Sequence, residues 1–282
     1  MASTSRFCPE EHLDPGACTG CGTCVSVCPS LVISLPGPVG PPSFAPSGCI
    51  GCAHCAAWCP ENAFGMERTA PCAPPVEELD RLLHARRSVR LFADRAPSEK
   101  RLRELCGEVL QFSPTGTNSC GLDVRLVDGK TLEKMEAGAR RVARLLDCFG
   151  FLRVAARAVG MERAVSRFLK GGSMIFRGAP AAVFVFVRRG SSTPREDGVI
   201  AATLLSLRAT AMGMGALWNG VAVWLYRLLP GWRLPDTARH RLTAVLCLGY
   251  PEKGPLWEIP PRPYELRFHG KVQDVEESGE GV

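Results

Sequence analysis

The spacing of apolar residues predicts helices in the part of the chain that follows residue 75. The helical segments are 76–85, 98–112, 132–170 and 197–211. Ser98 suits the N-cap of the second helix, and the third is expected to break near Gly150 and Gly160. The last segment is almost wholly apolar, which indicates a helix buried on all sides, either in a core or between subunits.

Strands are predicted by a different pattern in the same part of the chain. The runs 181–187 and 242–248 are continuously apolar, as is typical of strands buried on both faces. Residues 123–127 alternate between apolar and polar and predict a further strand. Because helices alternate with strands, this part of the chain is expected to be α+β or α/β.

One uncharged stretch is long enough to be tested as a membrane span. Residues 209–226 run without a charge for 18 positions between Arg208 and Arg227. The stretch contains Asn219 and several glycines, and its middle is only weakly apolar. A buried helix followed by a glycine-punctuated turn over 213–220 fits better, so no membrane partner is expected.

The N-terminal part is dominated by two cysteine ladders of identical spacing. The first ladder reads Cys18-x-x-Cys21-x-x-Cys24-x-x-x-Cys28-Pro29, and the second reads Cys49-x-x-Cys52-x-x-Cys55-x-x-x-Cys59-Pro60. Each cysteine of the second ladder lies 31 positions after its counterpart, so a whole binding unit is repeated. This spacing is the bacterial-type iron–sulfur signature, whereas zinc sites usually use two separate pairs and disulfides need no such ladder.

The ladders predict two [4Fe–4S] clusters with crossed ligands. In two-cluster ferredoxins the fourth cysteine of each run binds the other cluster. The first cluster set is Cys18, Cys21, Cys24 and Cys59, and the second cluster set is Cys49, Cys52, Cys55 and Cys28.

Composition bears on the binding partners and the cellular compartment expected for the protein. The formal charge of +6 falls to about +2 once each cluster with its thiolates adds about −2, so the charge gives little support for nucleic-acid binding. Six further cysteines are scattered, and residues 1–16 lack the apolar core of a signal peptide. Clusters and unpaired thiols indicate a reducing cytoplasm.

The Pro-rich connector 70–75 predicts two domains, 1–75 and 76–282.

A second candidate site lies in the C-terminal part. Arg86-Arg87-Ser88-Val89-Arg90 places three guanidinium groups and a hydroxyl on five residues, which suits a phosphate group. Residues 113–118 form a small-residue turn whose backbone can approach a planar ligand. The glycines at 213–220 do not match a dinucleotide fingerprint, because they follow a helix rather than a strand. No nicotinamide site is therefore predicted, and electrons are expected to arrive through the clusters.

In their order along the chain, these motifs resemble the nitroreductase family of FMN proteins. The matching stretches are Arg86–Arg90, Pro114–Asn118, Phe176–Pro180, Asp197–Ala201, Met212–Gly215, Leu248–Pro251 and Arg262. With the ladders in front, the chain resembles the ferredoxin–nitroreductase fusions of anaerobes. The resemblance implies an α+β fold of three layers, built as a small ferredoxin-like domain followed by a flavin domain that forms a homodimer.

The resemblance also assigns roles to single residues. Arg86, Arg87, Ser88 and Arg90 are expected to hold the FMN phosphate, ribityl chain and pyrimidine edge, with Arg262 at the phosphate. Trp218, Asn219 and Gly220 are expected along the isoalloxazine ring. Pro114, Thr115, Gly116, Thr117 and Asn118 correspond to a segment that contacts the flavin of the other subunit. The chain departs from common family residues at Cys120, Ser173 and Thr203. Cys120 is either a reactive thiol beside the flavin or a buried, inert thiol, and the second is favoured.

The implied function is an electron relay. A low-potential donor such as ferredoxin reduces the clusters, FMN collects two electrons, and a small acceptor such as a nitroaromatic, a quinone or an activated alkene is reduced. Alternatives are an electron carrier or redox sensor that serves a protein partner, and a substrate-specific biosynthetic or dehalogenating flavoenzyme. The sequence identifies no acid–base residue.

Overall fold

The N-terminal part of the fold consists of short elements around the two ladders. The computed structural model describes residues 7–37, 40–45, 47–67, 74–158 and 160–254. The helices here are α1 (Pro9–His12), α2 (Thr23–Ser26) and α3 (His54–Ala57), and the strands are β1 (Ile33–Ser34) and β2 (Ser43–Phe44). The two strands pair antiparallel. Ile33, Cys55, Ala56 and Phe64 form a small buried cluster, so little apolar core is available to this part.

The C-terminal part contains the larger elements. Its helices are α4 (Val76–Ala85), α5 (Glu99–Phe112), α6 (Gly129–Cys148), α7 (Phe151–Ala158), α8 (Glu162–Leu169), α9 (Pro194–Ala211) and α10 (Gly220–Leu228). Its strands are β3 (Leu122–Asp128), β4 (Ala181–Arg188), β5 (Gly215–Trp218) and β6 (His240–Gly249). Ser98 caps α5 by accepting a hydrogen bond from the Arg101 amide. The predicted breaks of the long helical segment are confirmed, since Gly150 and Gly160 have φ of 75° and 67°.

The four larger strands form one antiparallel sheet in the order β3-β4-β6-β5. Side chains of β4 alternate between two cores, with Phe184 and Phe186 on one face and Val183 and Val185 on the other. The first core includes residues of α6 and α10, and the second includes residues of α5 and α9. The run 181–187 is therefore continuously apolar because helices cover both faces of the sheet, and the α+β fold of three layers is confirmed.

Helix α9 packs closely on the sheet along one side only. Ala201, Ala202 and Leu205 are fully buried against the sheet. Val199 and Ile200 on another side are each 39% exposed. The sequence predicted burial either in a core or between subunits. This face is not buried in the core of one chain, so contact between subunits stays a prediction for it.

Two further sequence predictions are corrected or answered by the fold. The stretch 213–220 contains strand β5 where a turn was expected, because pairing with β6 draws Gly215–Trp218 into the sheet. No helix in the described part of the chain is long and apolar enough to cross a membrane. Contacts among the described residues up to Glu252 group them into one compact unit, and the boundary near residue 75 stays a prediction.

The basic residues of α6 have a structural role at the end of α8. Arg140 donates to the carbonyls of Phe168 and Gly172, and Arg144 donates to that of Leu169. The carbonyl groups at the end of a helix lack partners within the helix and carry partial negative charge. These two arginines therefore cap α8.

Candidate functional site

The eight ladder cysteines line two separate cavities. Cys18, Cys21, Cys24 and Cys59 line the first cavity. Cys49, Cys52, Cys55 and Cys28 line the second. These are the first and second cluster sets, so the fold brings together the thiols that the crossed assignment groups. No group of three or more His, Cys, Asp or Glu side chains in the described ranges is arranged to hold a single metal ion, whereas four thiols around a space are what a cubane cluster needs.

The sequence repeat is also a repeat of backbone conformation. Gly22 and Ala53, which are 31 positions apart, both have left-handed backbone, with φ of 75° and 60°, and each caps the short helix that follows. Gly20 is left-handed too, and a Cβ there would lie 2.9 Å from the Gly40 amide nitrogen. Such turns wrap the first three cysteines of each ladder around one point, and glycine adopts them without steric cost.

Hydrogen bonds to sulfur are present in both cavities. The Cys21 thiol lies 3.3 Å from the Thr23 hydroxyl, and the amides of Gly51 and Ala63 donate to the sulfurs of Cys49 and Cys59 at 3.4 and 3.3 Å. The hydrogen bond with Thr23 lowers the pKa of Cys21, while burial raises the pKa of Cys55 to about 11. Donors to sulfur stabilise thiolates and adjust the potentials of iron–sulfur centres, so the donor set fits two clusters.

The arginine-rich segment lies beside strand β5. Ser88 and Ala216 form a parallel β-bridge, and the Val89 amide donates to the Ala216 carbonyl at 3.0 Å. A Cβ on Gly215 would lie 2.5 Å from the Val89 side chain, so glycine is needed for this approach. Arg86, Arg87 and Ser88 are half-buried and Arg90 is exposed. The fold therefore places the predicted phosphate-binding segment next to the segment 218–220.

The segment 218–220 presents an aromatic ring and an open backbone. Trp218 is 38% exposed at the end of β5. The Asn219 side chain is buried, donates to the Ile175 carbonyl at 2.8 Å and accepts from the Ala222 amide at 2.9 Å. It caps α10 and has no free donor for a ligand. A Cβ on Gly220 would meet nothing within 4 Å, so a planar ligand has room there.

A buried carboxylate, which the sequence did not predict, supports the segment 218–220 through the loop 173–175. Glu136 is 4% exposed. Its carboxylate accepts hydrogen bonds from the amides of Met174 and Ile175 and from the hydroxyl of Ser173. The Ile175 carbonyl in turn receives the Asn219 side chain. Ser173, one of the departures from family residues, is thus part of a structural network. The signal available in the sequence was a single carboxylate on the apolar side of α6.

The segment 114–118 is fixed to the start of α9. Its Gly116 amide donates to the Asp197 carboxylate at 2.9 Å, and the Thr193 hydroxyl donates to the same oxygen at 2.8 Å. Asp197 is 1% exposed. In the sequence, Asp197 marked the start of a helix and of a stretch that matches the family, but no role was predicted for it, although a lone carboxylate in an apolar helix was a usable signal.

Within one chain the predicted flavin residues do not all come together. Residues 86–90 and 218–220 are adjacent to β5, which follows the C-terminal end of α9. Segment 114–118 is bound at the N-terminal end of α9. A helix of 18 residues is about 27 Å long at 1.5 Å per residue. Segment 114–118 therefore lies at one end of the helix and the Ser88–Ala216 bridge lies near the other, whereas 218–220 are level with its middle, because β5 runs back along β6 and the Asn219 amide bonds to the Val245 carbonyl. Arg262 lies outside the described residues.

The predicted burial of Cys120 is wrong. Cys120 is exposed, not buried. Its backbone is left-handed, with φ of 47°, and its amide donates to the Thr115 hydroxyl. The side chain is directed away from the core because the loop 114–120 turns over the protein surface. Cys106 and Cys247, which lie outside the ladders, are buried, and burial raises the pKa of each to about 11.

Comparison with protein families gives two matches that agree with this arrangement. Residues 17–64 match the 4Fe-4S dicluster domain. Residues 83–250, more than half of the chain, match the nitroreductase family. Among curated proteins, none matches this chain.

Solved structures with the same fold include three nitroreductases. That from Bacteroides fragilis, with bound FMN, is 19% identical with a TM-score of 0.51, over 69% of this chain and 99% of its own. That from Desulfitobacterium hafniense, with bound FMN, is 20% identical with a TM-score of 0.51, over 67% and 98%. An FMN-dependent nitroreductase from Clostridium difficile is 18% identical with a TM-score of 0.50, over 69% and 100%. The chain thus belongs to the nitroreductase family and carries a 4Fe-4S dicluster domain ahead of its nitroreductase domain.

Proposed function

We propose that this protein is an iron–sulfur flavoprotein oxidoreductase that accepts electrons at two [4Fe–4S] clusters and uses bound FMN to reduce a small acceptor. The observation that carries the proposal is the presence, in one chain, of two cavities lined by four thiols each and a separate arginine-rich segment beside an exposed tryptophan. Neither the thiol-lined cavities nor the arginine-rich segment alone implies transfer of electrons to a substrate. Together they provide clusters that accept single electrons and a site for the flavin.

The residues beside β5 fit FMN. Arg86, Arg87, Ser88 and Arg90 supply charge-assisted donors for its phosphate, ribityl and pyrimidine oxygens. Arg86 and Arg90 take part in none of the ion pairs found among the described residues, so their charge is available to an anion. Trp218 and Gly220 offer an apolar face and open space for the ring. Arg262 would add a further phosphate donor.

When bound, the clusters supply one-electron transfer and FMN couples it to two-electron reduction of the acceptor. The protein holds these groups in place and shapes their electrostatics. An arginine of 86–90 near the pyrimidine edge would stabilise negative charge on the reduced ring. Asn219 and Glu136 hold the segment 218–220 through the Ile175 loop. Solvent supplies the proton, since no acid–base side chain is assigned.

The partners follow from the same features. A ferredoxin or a similar low-potential carrier is the proposed donor, and nitroaromatics, quinones and activated alkenes are the proposed acceptors. The exposed apolar face of α9, with Val199 and Ile200, is the proposed contact of a homodimer. We place the protein in the cytoplasm, where thiols and clusters stay reduced.

The test is a count of cofactors and a measurement of FMN affinity under anaerobic conditions. The wild-type protein should contain about eight irons per chain, as two cubanes require, and one FMN. Arg86→Ala should weaken FMN binding by about tenfold or more, because one charge-assisted hydrogen bond contributes about 1.5–3 kcal/mol. Its iron content should not change. Arg103→Ala, at an exposed arginine paired with Glu99, is the matched control.

Two results would contradict the proposal. A protein with full iron content that takes up no FMN would be a cluster protein only. A flavin that is reduced by ferredoxin but reoxidised by no small acceptor would favour an electron carrier or redox sensor instead.

A further inference from the structure

We infer that a cavity at one end of the sheet, separate from both candidate cofactor sites, binds a phosphate-bearing small molecule. This arginine-lined cavity lies where β4 ends and β6 begins, beside the C-terminal end of α10. The described residues that line it include no ladder cysteine and no member of 86–90 or 218–220. The inference therefore goes beyond the proposed function and does not depend on it.

Positive side chains converge on the cavity from separate parts of the chain. They are Arg189 after β4, Arg227 near the end of α10, Arg233 in the connection between α10 and β6, and Arg241 in β6. All of them are exposed, and none takes part in an ion pair found among the described residues. Like charges held around one space repel each other and raise the local concentration of anions. An anion in the cavity would relieve this repulsion.

The shape of the cavity suits a small molecule. Its volume is about 640 Å³, within the range of about 300–1,000 Å³ that is typical of ligand sites. Phe186 and Leu242, which belong to the core on this face of the sheet, and the half-buried Leu234 supply its apolar lining. Apolar lining together with charged side chains favours an organic molecule that carries an anionic group over a simple inorganic ion.

The connection that carries Arg233 is fixed by hydrogen bonds. The hydroxyl of the buried Tyr226 accepts from the Leu234 amide at 3.0 Å and lies 3.2 Å from the Thr237 hydroxyl. The Thr237 hydroxyl donates to the Leu234 carbonyl at 2.8 Å. The His240 amide donates to the Thr237 carbonyl at 3.0 Å. One wall of the cavity is thus held in place by the protein itself, which lowers the entropy cost of binding a ligand.

The polar groups of the cavity favour a sugar phosphate or a nucleotide. Guanidinium groups bind phosphate oxygens through paired, charge-assisted hydrogen bonds, and a phosphate offers oxygens to several arginines at once. Asp236 lines the same cavity and is in none of the ion pairs found among the described residues. Its carboxylate is available to accept from a ligand hydroxyl, as acidic residues do for ribose in dinucleotide sites.

The cavity is too far from the arginine segment 86–90 to hold the phosphate of the same FMN. Ser88 is bridged to Ala216, and Ala216 pairs with Leu248 of β6. Arg241 lies seven residues before Leu248 in the same strand, which corresponds to about 23 Å at 3.3 Å per residue. The two groups of arginines therefore serve two different anions.

Binding of ADP to the full-length protein, purified anaerobically with its iron and FMN content measured, tests the inference. ADP carries a diphosphate and a ribose, and adenosine is the matched compound without phosphate. Isothermal titration should show one ADP per chain, with adenosine weaker by about tenfold or more because it lacks the charge-assisted hydrogen bonds. Added salt should weaken ADP binding by screening the arginines, and inorganic pyrophosphate should compete with it.

Charge reversal at the cavity separates this site from general attraction to a basic protein. Arg233→Glu and Arg227→Glu should each weaken ADP binding by about tenfold or more, because each removes a donor and adds a repelling charge. Arg141→Glu is the matched control, since Arg141 is an exposed arginine of α6 that is not among the residues lining the cavity. It changes the net charge equally and should alter the affinity by no more than about twofold. Iron and FMN content should stay unchanged in all three variants.

Three results would overturn the inference. The first is that neither ADP nor pyrophosphate binds, or that all three charge reversals weaken ADP equally. The second is that Arg86→Ala weakens ADP binding and Arg233→Glu does not, which would place ADP at the candidate flavin site. The third is that small phosphates fail to bind while Arg233→Glu weakens binding of ferredoxin, which would make the arginines a contact for an acidic protein. The proposed function is judged separately, by the iron and FMN content of the wild type.

Discussion

At the scale of single residues, the polar side chains that matter most for the site are buried and bind backbone groups. Asp197 holds the candidate flavin segment 114–118, while Glu136 and Asn219 bind the 173–175 loop that supports residues 218–220. Sequence analysis found Asn219 through its place beside Trp218 but assigned it to the flavin. Its hydrogen bonds are all within the protein, and such partners depend on tertiary contacts between residues 44 positions apart.

Buried thiols give a prediction for stability at alkaline pH. Burial raises the pKa of Cys106 to about 11, from about 8.5 in an unfolded chain. The folded state therefore keeps its proton to higher pH. This contribution to stability is complete below about 8.5 and is lost towards 11, at about 1.4 kcal/mol per pH unit for one group.

Urea unfolding of wild type and Cys106→Ala, followed by tryptophan fluorescence under anaerobic conditions, measures the effect. The variant should be less stable by about 1 kcal/mol near neutral pH, because a small cavity is left. The difference should shrink and reverse as the pH rises, since only the wild type has this thiol to ionise. Cys106→Val, which keeps an apolar group at the site, should show the same pH profile as the alanine variant. A constant difference at all pH values would contradict the prediction.

At the scale of elements, close approaches of backbone decide which glycines are required. Gly198 lies in α9 where a Cβ would be 2.0 Å from the Thr243 hydroxyl oxygen of β6. Gly107 lies in α5, where a Cβ would meet nothing within 4 Å. The same substitution should therefore have opposite effects in the two helices.

Gly198→Ala should lower the free energy of unfolding by about 1–3 kcal/mol through overpacking against β6. Gly107→Ala should raise it by about 0.5–1 kcal/mol, because alanine loses less backbone entropy in a helix. Chemical denaturation of both variants beside wild type checks this. Equal effects of the two changes would show that α9 can move away from the sheet.

Strands β4 and β6 could be predicted from sequence because burial on both faces leaves continuous apolar runs. Strand β5 could not, since its four residues begin at Gly215, shortly after Gly213, and become a strand only by pairing with β6. Cys120 was wrongly expected in the core for a related reason. Its exposure depends on the path of the loop over the surface, which no local pattern records.

At the scale of the whole molecule, the two cofactor-binding parts have unequal cores. The N-terminal part buries a cluster of four residues, while the sheet has a large core on each face. Cluster ligation is therefore expected to supply most of the stability of the N-terminal part, as metal binding does in other small domains.

Removing iron by anaerobic chelation should unfold residues 7–64 and leave the sheet folded. Hydrogen–deuterium exchange should become fast throughout the ladders, while β4 and β6 keep their protection. Control samples treated with the iron-loaded chelator should show no change. Persistent protection in both ladders after iron loss would show that the small core is sufficient.

The general fold was predictable because periodicity is a local property of the sequence, and the ligand sets stay a prediction from spacing. The contact in which the Asn118 side-chain amide donates to the Ile50 and Gly51 carbonyls of the second ladder was not predictable, because it joins residues 67 and 68 positions apart through backbone carbonyls that every residue type carries. Any residue at positions 50 and 51 could accept this hydrogen bond, so the identities of the accepting residues do not indicate it.

The length of α9 has a consequence for evolution and for engineering. One end of the helix carries the loop under the iron-binding peptide, and the other leads into the strand beside the arginines. Adding one turn would lengthen the helix by about 5.4 Å and would move the loop that carries Asn118 away from the start of β5. A chain altered in this way could keep its sheet and its ladders and still lose the alignment between the iron-binding peptide and the arginine segment.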